Sequence, residues 1–353
     1  MTADRPNSNA SLPIDLFDYE LPEELIAQQP LADRSASRLL VLERETSEIR
    51  HHMFREIGHW LRPGDLLVIN DTRVHRARLD ARRRSGGRVE FLLVEPLDGG
   101  LWRAMARPAK RLRAGEALQL FDVTGNPVDD QLVVMGREDD GYLIVDVPSF
   151  YEREEQIGHV PLPHYIGASL DDAERYQTVY AREPGSVAAP TAGLHFTDAM
   201  LTELAVQGID TSRITLHVGP GTFQPVKSAD ALEHVMHAER YRVEPEALAK
   251  IRETRARGGR VIAVGTTSCR TLETIAPRID DDGPISGSTD LYITPGYRFR
   301  LVDGLLTNFH LPRSTLLLLV SAFAGRELVL QAYQEAVESR YRFYSFGDAM
   351  LIV

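Results

Sequence analysis

Cysteine is almost absent from this sequence, which has 353 residues and a single thiol at Cys269. One thiol cannot form an internal disulfide framework, a cysteine zinc site or an iron–sulfur cluster. Long hydrophobic runs are also lacking, because the longest apolar stretch, residues 316–324, is shorter than the roughly 18 residues that cross a bilayer. The sequence therefore predicts neither cysteine-based metal chemistry nor a membrane-spanning helix.

The amino-terminal residues 1–9 lack the basic and then apolar order of a secretory signal. We expect residues 1–10 to form a disordered tail. The composition, with 43% hydrophobic residues, 26% charged residues and a mean hydropathy of -0.22, is typical of a globular protein of two or three domains. A folded cytoplasmic protein is the expectation.

Positive charge is the scarcer sign, since 40 Lys and Arg face 51 Asp and Glu, which gives a net charge of -11. That balance argues against indiscriminate binding of nucleic acid, but the charges are unevenly placed. Residues 73–113 contain twelve Lys and Arg and four acids, whereas residues 122–172 contain twelve acids and two bases. The sequence predicts a positive region beside a negative one.

Residues 64–149 differ in pattern from the rest of the chain. Short strand-like runs alternate there with turn signals such as Gly86-Gly87, which favours an antiparallel β-barrel. Helical patterns return at residues 150–157, 171–181 and 198–207, and strands and helices alternate after them. The predicted fold class is mixed α/β. An antiparallel β-barrel domain at residues 64–149 is inserted into an α/β host domain made of residues 1–63 and 150–353.

The first candidate site is the loop 190–197, Pro-Thr-Ala-Gly-Leu-His-Phe-Thr. Small residues let a ligand approach the backbone, so His195 is a candidate ligand contact; the alternative is a hydrogen-bonded core histidine. Six of the eleven histidines lie between residues 159 and 237, which favours a site. His217 is one of them, and it ends a strand just before Gly219 and Gly221.

In the segment 234–241, His-Val-Met-His-Ala-Glu-Arg-Tyr, alternate residues would share one face of an extended strand. His237 and Glu239 would then lie close enough for a general acid–base pair, with a solvated strand edge as the alternative. His234 and His237 have the spacing of metal ligands on a helix, but no cluster of further ligands completes a site in the sequence. We therefore expect no metal.

Residues 260–271 are typical of a buried strand, a glycine turn and a helix start. Free N–H groups and the helix dipole would make this helix start an anion site, with plain helix capping as the alternative. The sequence has neither a Walker motif nor a Gly-x-Gly-x-x-Gly fingerprint. The candidate residues of this helix start are Thr266, Thr267, Ser268 and Arg270.

A further polar pair lies in the segment 307–315, before the leucine-rich stretch. Asn308 and His310 alternate there with the apolar Phe309 and Leu311. They could face a pocket, or they could satisfy buried backbone groups.

These segments together resemble the S-adenosylmethionine:tRNA ribosyltransferase-isomerases of the queuosine pathway. The likeness runs from the motif Phe17-Asp18-Tyr19-Glu20-Leu21-Pro22 to the last residues. It includes the segments 64–74, 107–110, 190–197, 216–226, 234–241, 264–273, 303–323 and 341–352. No single motif names this chemistry, and the resemblance rests on their sum over nearly the whole chain.

The resemblance implies an α/β host that carries an inserted β-barrel, in agreement with the change of pattern near residues 64 and 149. It also implies an enzyme that transfers and isomerises the ribosyl part of S-adenosylmethionine onto 7-aminomethyl-7-deazaguanine at the wobble position of tRNA. Epoxyqueuosine-tRNA, adenine and methionine would be the products. S-Adenosylmethionine is then a co-substrate and the tRNA anticodon loop is the partner. We expect a monomer that uses neither a metal nor a membrane.

This chemistry needs two deprotonations and the protonation of a leaving group, which histidine and glutamate can supply. We expect His237 with Glu239 to form the acid–base pair, and His195 or His217 to protonate adenine or contact its ring. The helix start of segment 260–271 would hold the methionyl carboxylate. The polar pair of segment 307–315 would complete the wall of the site.

The basic region would contact tRNA phosphates, because a local positive excess can steer RNA even to an acidic protein. Solvated strand faces are the alternative. The candidate contacts are Arg73, Arg83, Arg84, Arg107, Lys110 and Arg111, with Arg82, Arg88 and Arg113 in the same strip.

Two other functions stay open at this point. A tRNA methyltransferase would share both substrates but would release S-adenosylhomocysteine. A non-catalytic RNA-binding module would need the basic strip but no buried histidine, glutamate or asparagine. A Ser-His-Asp hydrolase gains no support, since the sequence has no Gly-x-Ser-x-Gly elbow.

Overall fold

A computed structural model describes residues 11–168, 170, 172–223 and 226–353. The predicted tail, residues 1–10, lies outside the described residues. The strands are β1 (Arg38–Glu43), β2 (Glu48–Met53), β3 (Leu66–Asn70), β4 (Thr72–Val74), β5 (Arg78–Arg82), β6 (Arg88–Pro96), β7 (Leu101–Arg107), β8 (Ala117–Phe121), β9 (Pro127–Arg137), β10 (Leu143–Asp146), β11 (Gly158–His159), β12 (Glu183–Ser186), β13 (Asp210–Leu216), β14 (Glu239–Val243), β15 (Val261–Val264), β16 (Ile285–Thr289), β17 (Gly304–Asn308) and β18 (Ala349–Ile352). The α-helices are α1 (Phe150–Ile157), α2 (Asp198–Val206), α3 (Pro245–Ala256), α4 (Thr266–Ile275), α5 (Thr315–Ala324) and α6 (Arg326–Glu338).

Nine strands form one mixed sheet in the order β16-β14-β13-β3-β15-β17-β18-β1-β2. Its centre is parallel, because β13, β3, β15 and β17 run in the same direction. Every residue of β3, β15 and β17 is buried, and strands covered on both faces have continuous apolar sequences. The carboxyl ends of the four parallel strands therefore meet at one edge of the sheet.

Helices cover both faces of this sheet. On one face α3, α4, α5 and α6 pack around a core that includes Leu66 and Val68. On the other face α2 and the 3₁₀ helix Phe54–Trp60 pack against Leu67 and Ile69. Successive residues of β3 thus enter opposite cores, as the alternation of side chains along a strand requires.

Six further strands, in the order β5-β6-β7-β10-β9-β8, form an antiparallel sheet that closes into a barrel where β5 pairs with β8. Alternate side chains of these strands fill the interior, among them Leu79, Phe91 and Leu118. Strand β11 adds to the outer side of β5, and α1 leads from the end of the barrel back to the host. The predicted fold class, a mixed α/β host with an inserted antiparallel β-barrel, is confirmed.

Strand β3 corrects the predicted start of the barrel at residue 64. It pairs with β13 and β15 in the nine-stranded sheet, and β4 pairs with β12 outside the barrel. The barrel strands run from Arg78 to Asp146. The distinction is physical, since the apolar run of β3 suits a strand buried on both faces, whereas β6 alternates buried with more exposed residues.

The helix predicted at residues 171–181 is wrong. The structure has a 3₁₀ helix at Ala173–Tyr176, and residue 171 lies outside the described residues. Beyond this turn, the side-chain amide of Gln177 accepts from the N–H of Val74 at 3.0 Å and donates to its carbonyl at 2.8 Å. This long-range pairing holds the segment extended and has no local sequence signal. The helices predicted at residues 150–157 and 198–207 are present as α1 and α2.

The leucine-rich helix α5 lies in the core, and Leu317 and Leu318 are fully buried. No single helix of the described residues is both long and apolar enough to cross a membrane; α5 and α6 pass that test only as a pair bent by 114°.

Candidate active site

A cleft of about 600 Å³ opens at the edge where the parallel strands end. We call it the main cleft. Its walls come from the end of β17, the start of α4 and the loops around residues 189–192 and 344–345. Open α/β sheets bind ligands at the carboxyl ends of their strands, and binding clefts combine apolar walls with a few placed polar groups. The polar residues of this cleft include Tyr165, Thr266, Thr267, Thr307, Asn308 and His310.

Helix α4 begins inside the main cleft. Gly265 links β15 to the helix with a φ of 90°, a conformation that favours glycine. Thr266 and Thr267 line the cleft, and Asn70, at the end of β3, donates to Thr267 Oγ1 at 3.3 Å. The hydroxyl of Ser268 is buried and has no hydrogen-bond partner within the part of the chain that the structure describes. The first turn of α4 thus presents backbone N–H groups and the positive end of its dipole to the cleft.

Asn308, the last residue of β17, is the polar centre of the main cleft. Its side-chain nitrogen donates to the carbonyl of Tyr344 at 3.1 Å and lies 3.3 Å from Nε2 of His195. The Tyr344 carbonyl can only accept, so it fixes which end of the amide is nitrogen. The oxygen, Oδ1, is buried and has no partner among the described residues. Since buried polar atoms are nearly always paired, Asn308 holds an acceptor ready for a ligand N–H.

His195 lies behind Asn308, and not among the described residues that line the main cleft. Its Nδ1 is 2.8 Å from the hydroxyl of Ser37, and the ring stacks near Phe54 with centroids 4.9 Å apart. Because Asn308 donates to Nε2, the proton of the neutral ring belongs on Nδ1, which donates to Ser37. Burial, followed by the charges of Arg342 and Arg34, lowers the pKa of His195 to about 3. A neutral ring with both nitrogens engaged orients the Asn308 amide.

His310 is a half-buried histidine of this region, and it does line the main cleft. Its Nε2 lies 2.7 Å from the hydroxyl of Thr307, and its backbone N–H donates to the Tyr333 hydroxyl at 3.0 Å. The hydroxyl of Tyr19 donates to the His310 carbonyl. Burial lowers the pKa of His310 to about 3, so the ring is neutral at physiological pH. His310 therefore contributes a neutral wall.

The lowered pKa values of His195 and His310 make the stability of the protein depend on pH. Unfolded histidine binds a proton near pH 6.5, whereas His195 and His310 bind one only near pH 3. The unfolded state therefore takes up more protons, and stability that is complete above about pH 6.5 is lost as the pH falls, by about 1.4 kcal/mol per pH unit for each histidine. Urea denaturation at pH 7, 6 and 5 measures this slope. In His310→Gln we expect this slope to fall by the contribution of one histidine, about 1.4 kcal/mol per pH unit. In His59→Gln, which changes an exposed histidine, the slope should stay at the wild-type value. Equal slopes in the two variants would contradict the assignment to His310.

His217 follows β13 and is half-buried outside the main cleft, whose wall next to it is Val218. Its Nδ1 lies 2.9 Å from the hydroxyl of Thr72, and a Cβ added to Gly185 would come within 2.6 Å of the ring. Burial is the main cause that lowers the pKa of His217 to about 4. The structure therefore places His195 and His217 at separate positions rather than around one cavity.

Glu239, the first residue of β14, is 5% exposed. One carboxylate oxygen accepts from the N–H of Gly219 at 2.9 Å, and the other is bonded to the guanidinium of Arg270. Arg270 is also buried, and it donates to the carbonyls of Leu291 and Thr289. The structure thus brings Glu239 to a charged partner that the sequence pattern did not suggest.

The position of Arg270 does not agree with the expectation that it helps the start of α4 to hold the methionyl carboxylate. It lies one turn into α4, it does not belong to the described lining of the main cleft, and its nitrogens face Glu239 and two carbonyls. Thr266 and Thr267 do line the main cleft. His237 is exposed. Its ring lies close to the backbone of Gly221, since a Cβ added to that glycine would come within 2.5 Å of the ring.

The six predicted tRNA contacts differ in how free they are. Arg83 forms a two-pronged pair with Glu116 at 2.6 and 3.1 Å, and Arg73 pairs with Glu174 at 2.5 Å. Arg83 also donates to the Arg111 carbonyl at 3.1 Å, so the loops after β5 and β7 meet. The chain enters at the start of β5 and leaves at the end of β10, which puts these loops at the far end of the barrel. The exposed contacts are Arg84, Arg107, Lys110 and Arg111.

Sequence reasoning missed Tyr165 and Ser345, which line the main cleft and whose hydroxyls are hydrogen-bonded to each other at 2.7 Å. They are 180 residues apart in the chain, so no local pattern links them. Thr307 was also missed, although its place beside Asn308 at the end of a buried strand was a usable signal. Among the described residues, no group of three or more His, Cys, Asp and Glu side chains is arranged to hold a metal ion.

The sheet, the cleft at its carboxyl edge and the helix start inside that cleft are typical of α/β proteins whose ligand site lies at the edge of the sheet. A family model described as Queuosine biosynthesis protein matches residues 14–352. The chain therefore belongs to the queuosine biosynthesis protein family. The family expected from the sequence is confirmed.

Three relatives support this assignment. The S-adenosylmethionine:tRNA ribosyltransferase-isomerase of Symbiobacterium thermophilum is 53% identical over 346 residues, which cover 96% of this chain and 98% of that protein. The protein of the same name from Carboxydothermus hydrogenoformans is 52% identical over 338 residues, with the same coverage. The crystal structure of an S-adenosylmethionine tRNA ribosyltransferase from Thermotoga maritima is 43% identical, covers 96% of this chain and 100% of its own, and has a TM-score of 0.56. The chain is an enzyme of this transferase and isomerase type.

Proposed function

We propose that this enzyme transfers and isomerises the ribosyl part of S-adenosylmethionine onto 7-aminomethyl-7-deazaguanine at the wobble position of tRNA. The products are epoxyqueuosine-tRNA, adenine and methionine. One observation supports this most: the unpartnered Oδ1 of Asn308 and the start of α4 lie in the same cleft. S-Adenosylmethionine is an amino acid joined to a nucleoside. Its carboxylate requires an anion-binding group such as this helix start, and its N–H groups require an acceptor such as Asn308 Oδ1.

The residues of the main cleft fit S-adenosylmethionine. Its carboxylate suits the N–H groups at the start of α4, beside Thr266 and Thr267. Asn308 Oδ1 can accept an N–H, and the ligand offers one on the adenine amine and another on the methionyl ammonium. The remaining walls, including Ala189, Val218 and Phe309, are apolar and suit a nucleoside.

The reaction begins at the 5′-carbon of the ribose. The positive charge of the neighbouring sulfonium makes the hydrogens on this carbon acidic. A base removes one of them, the ribose opens, and the bond to adenine breaks as adenine takes up a proton. The neutral aminomethyl nitrogen of the deazaguanine forms a bond to the opened sugar and gives up a proton, and the bond between sulfur and the sugar carbon breaks with its electron pair on sulfur, which releases methionine. We propose His237 as the group that exchanges these protons, since it is the exposed one of the candidate histidines. Glu239, fixed by Gly219 and Arg270, orients the segment that carries it.

The other two candidate histidines take different roles in this proposal. His195 positions Asn308 through its Nε2 and does not touch the substrate. His217 stays a candidate for contact with the ring, next to the cleft wall at Val218. Neutral imidazoles are suited to both tasks, because their pKa values lie well below neutrality.

The barrel provides the proposed tRNA surface. The exposed residues Arg84, Arg107, Lys110 and Arg111 lie at one end of it, and phosphate contacts come mainly from such side chains. The wobble base lies in a single-stranded loop, so it can be turned out of the RNA into the main cleft. We place the enzyme in the cytoplasm with its tRNA substrate and propose that it acts as a monomer.

Product analysis tests the proposed function. The purified chain is incubated with S-adenosylmethionine labelled in adenine and with tRNA that carries 7-aminomethyl-7-deazaguanine. We expect free adenine and free methionine in equal amounts, and one modified nucleoside per adenine released. Release of S-adenosylhomocysteine would show a methyltransferase instead. Binding of tRNA without consumption of S-adenosylmethionine would show a binding module.

A further inference from the structure

A second cleft lies on the other side of His195 from the main cleft. Its empty space, counted together with its open mouth, is about 300 Å³, and its walls include Arg34, Arg175, Arg342, His195 and Ser345. Ser345 lines both clefts, and the hydrogen bond from Asn308 to His195 joins their walls. We call it the arginine cleft. None of its three arginines belongs to the basic strip of the barrel.

Each of the three guanidinium groups is held in place by neutral backbone carbonyls. Arg34 and Arg175 each donate from two nitrogens, over 2.6 to 3.1 Å, and Arg342 donates from one nitrogen at 3.3 Å. Carbonyl partners fix the position of a guanidinium without cancelling its charge. The partners are the carbonyls of Leu194 and Glu174 for Arg34, of Leu31 and Ala32 for Arg175, and of Gln29 for Arg342.

The guanidinium groups of the arginine cleft form few direct ion pairs among the described residues. Within the described residues, neither Arg34 nor Arg175 lies within 4.0 Å of a carboxylate oxygen, and the Nε of Arg175 is buried without an acceptor. Arg342 has one carboxylate nearby, since its Nε lies 3.7 Å from Asp348 Oδ1. That carboxylate is already occupied by the backbone N–H groups of Arg38 and Arg342. Arg34 and Arg175 thus lack a direct ion pair among the described residues, although the charges of Asp172, Glu174 and Asp198 act on Arg34 from farther away.

These groups line one cleft, and their charges act on one another. Burial, followed by the charge of Arg175, lowers the pKa of Arg34. The charges of Arg342 and Arg34 both contribute to the lowered pKa of His195. Converging cations of this kind repel one another, so an anion bound among them would relieve that repulsion.

We propose that the arginine cleft binds a backbone phosphate of the substrate RNA, next to the nucleotide whose base enters the main cleft. Guanidinium groups match the oxygens of a phosphate in geometry and are the usual choice for such recognition. The shared wall at Ser345 puts the two clefts side by side, as a base and the phosphate of its own or the adjacent nucleotide require. This inference rests on the proposed function, because it takes RNA to be the substrate.

The salt dependence of RNA binding tests the proposal. Affinity for a tRNA anticodon stem-loop is measured over a range of salt concentrations, with the wild-type chain and with Arg342→Gln, Arg175→Gln and Arg342→Lys. Each lost phosphate contact lowers the slope of log K against log salt by about 0.7 to 0.9. We expect that loss in both glutamine variants, together with roughly tenfold weaker binding at low salt. Arg342→Lys keeps the charge and is expected to keep most of the slope.

Arg44→Gln is the matched control. Arg44 is also half-buried, donates to the carbonyls of Asp303 and Phe323, and has a buried Nε without an acceptor, but it does not line the arginine cleft. It should leave the RNA slope unchanged, which separates the loss of a phosphate contact from a general loss of stability. Titration calorimetry with S-adenosylmethionine alone should give the same affinity for all variants.

Three outcomes are informative. An unchanged slope in Arg342→Gln and Arg175→Gln overturns the phosphate site. Weaker binding of S-adenosylmethionine with an unchanged RNA slope overturns it as well, and assigns the cleft to the ligand carboxylate. Release of adenine by the wild-type chain is measured alongside; if it occurs while the slopes are unchanged, the proposed function stands and only the phosphate site fails.

Discussion

An Asn308→Ala variant is expected to lose roughly 10- to 100-fold in kcat/KM and to keep its fold. The substitution removes the unpartnered Oδ1 acceptor of the main cleft, so the N–H that it receives from S-adenosylmethionine loses its partner. A buried group left unpaired costs about 1 to 3 kcal/mol, or about 5- to 150-fold in kcat/KM, and the expected loss lies within those limits. Steady-state rates of adenine release, with S-adenosylmethionine and tRNA varied in turn, measure the effect. We expect the loss in the kcat/KM that is measured with S-adenosylmethionine as the varied substrate.

The control for this variant is Asn126→Ala, which removes an asparagine from an exposed turn of the barrel. It should change kcat/KM by less than twofold. Thermal unfolding of both variants shows whether Asn308→Ala acts through the site or through stability. A fully folded Asn308→Ala enzyme with wild-type kcat/KM would remove Asn308 from the proposed site.

The second large effect concerns the buried pair of Arg270 and Glu239. An Arg270→Met variant is expected to lose about 3 to 5 kcal/mol of unfolding free energy, because it leaves the Glu239 carboxylate buried without its opposite charge. The double variant Arg270→Met with Glu239→Met removes both charges and should recover much of that loss. Urea denaturation at pH 7 measures all three chains.

Arg278→Met provides the matched comparison. Arg278 also forms an ion pair, with Asp281 at 2.8 Å, but both side chains are about half exposed. Exposed pairs contribute at most about 1 kcal/mol, so this variant should remain close to the wild type. If Arg270→Met were no less stable than Arg278→Met, the buried pair would not hold β14 against α4 as described.

The fold class could be predicted because its signals are local. The alternation of the barrel strands and the helix start after Gly265 are both visible in short segments. The start of the barrel was misplaced because β3 was grouped with the strands that follow it, although its continuous apolar run is typical of a parallel strand. Residues 171–181 were misassigned because Gln177 pairs with Val74, about a hundred residues away.

The site was predictable in part for the same reason. Asn308 ends a strand, Thr266 and Thr267 start a helix, and His310 follows two residues after that strand; such positions can be recognised in one sequence. The partner of Glu239 could not be recognised, since Arg270 reaches it only after β14 and α4 have packed together. The three arginines of the arginine cleft come from three distant segments, so only the folded chain shows that they converge.

Strand β18 has a consequence for how the protein is made. It lies between β17 and β1, and in the described part of the chain the hairpin of β1 and β2 joins the nine-stranded sheet through it. The hairpin leaves the ribosome early, whereas residues 349–352 leave it about three hundred residues later. During synthesis, the edge of β1 that later pairs with β18 therefore stays unpaired. Chaperones that shield such edges would act in that interval.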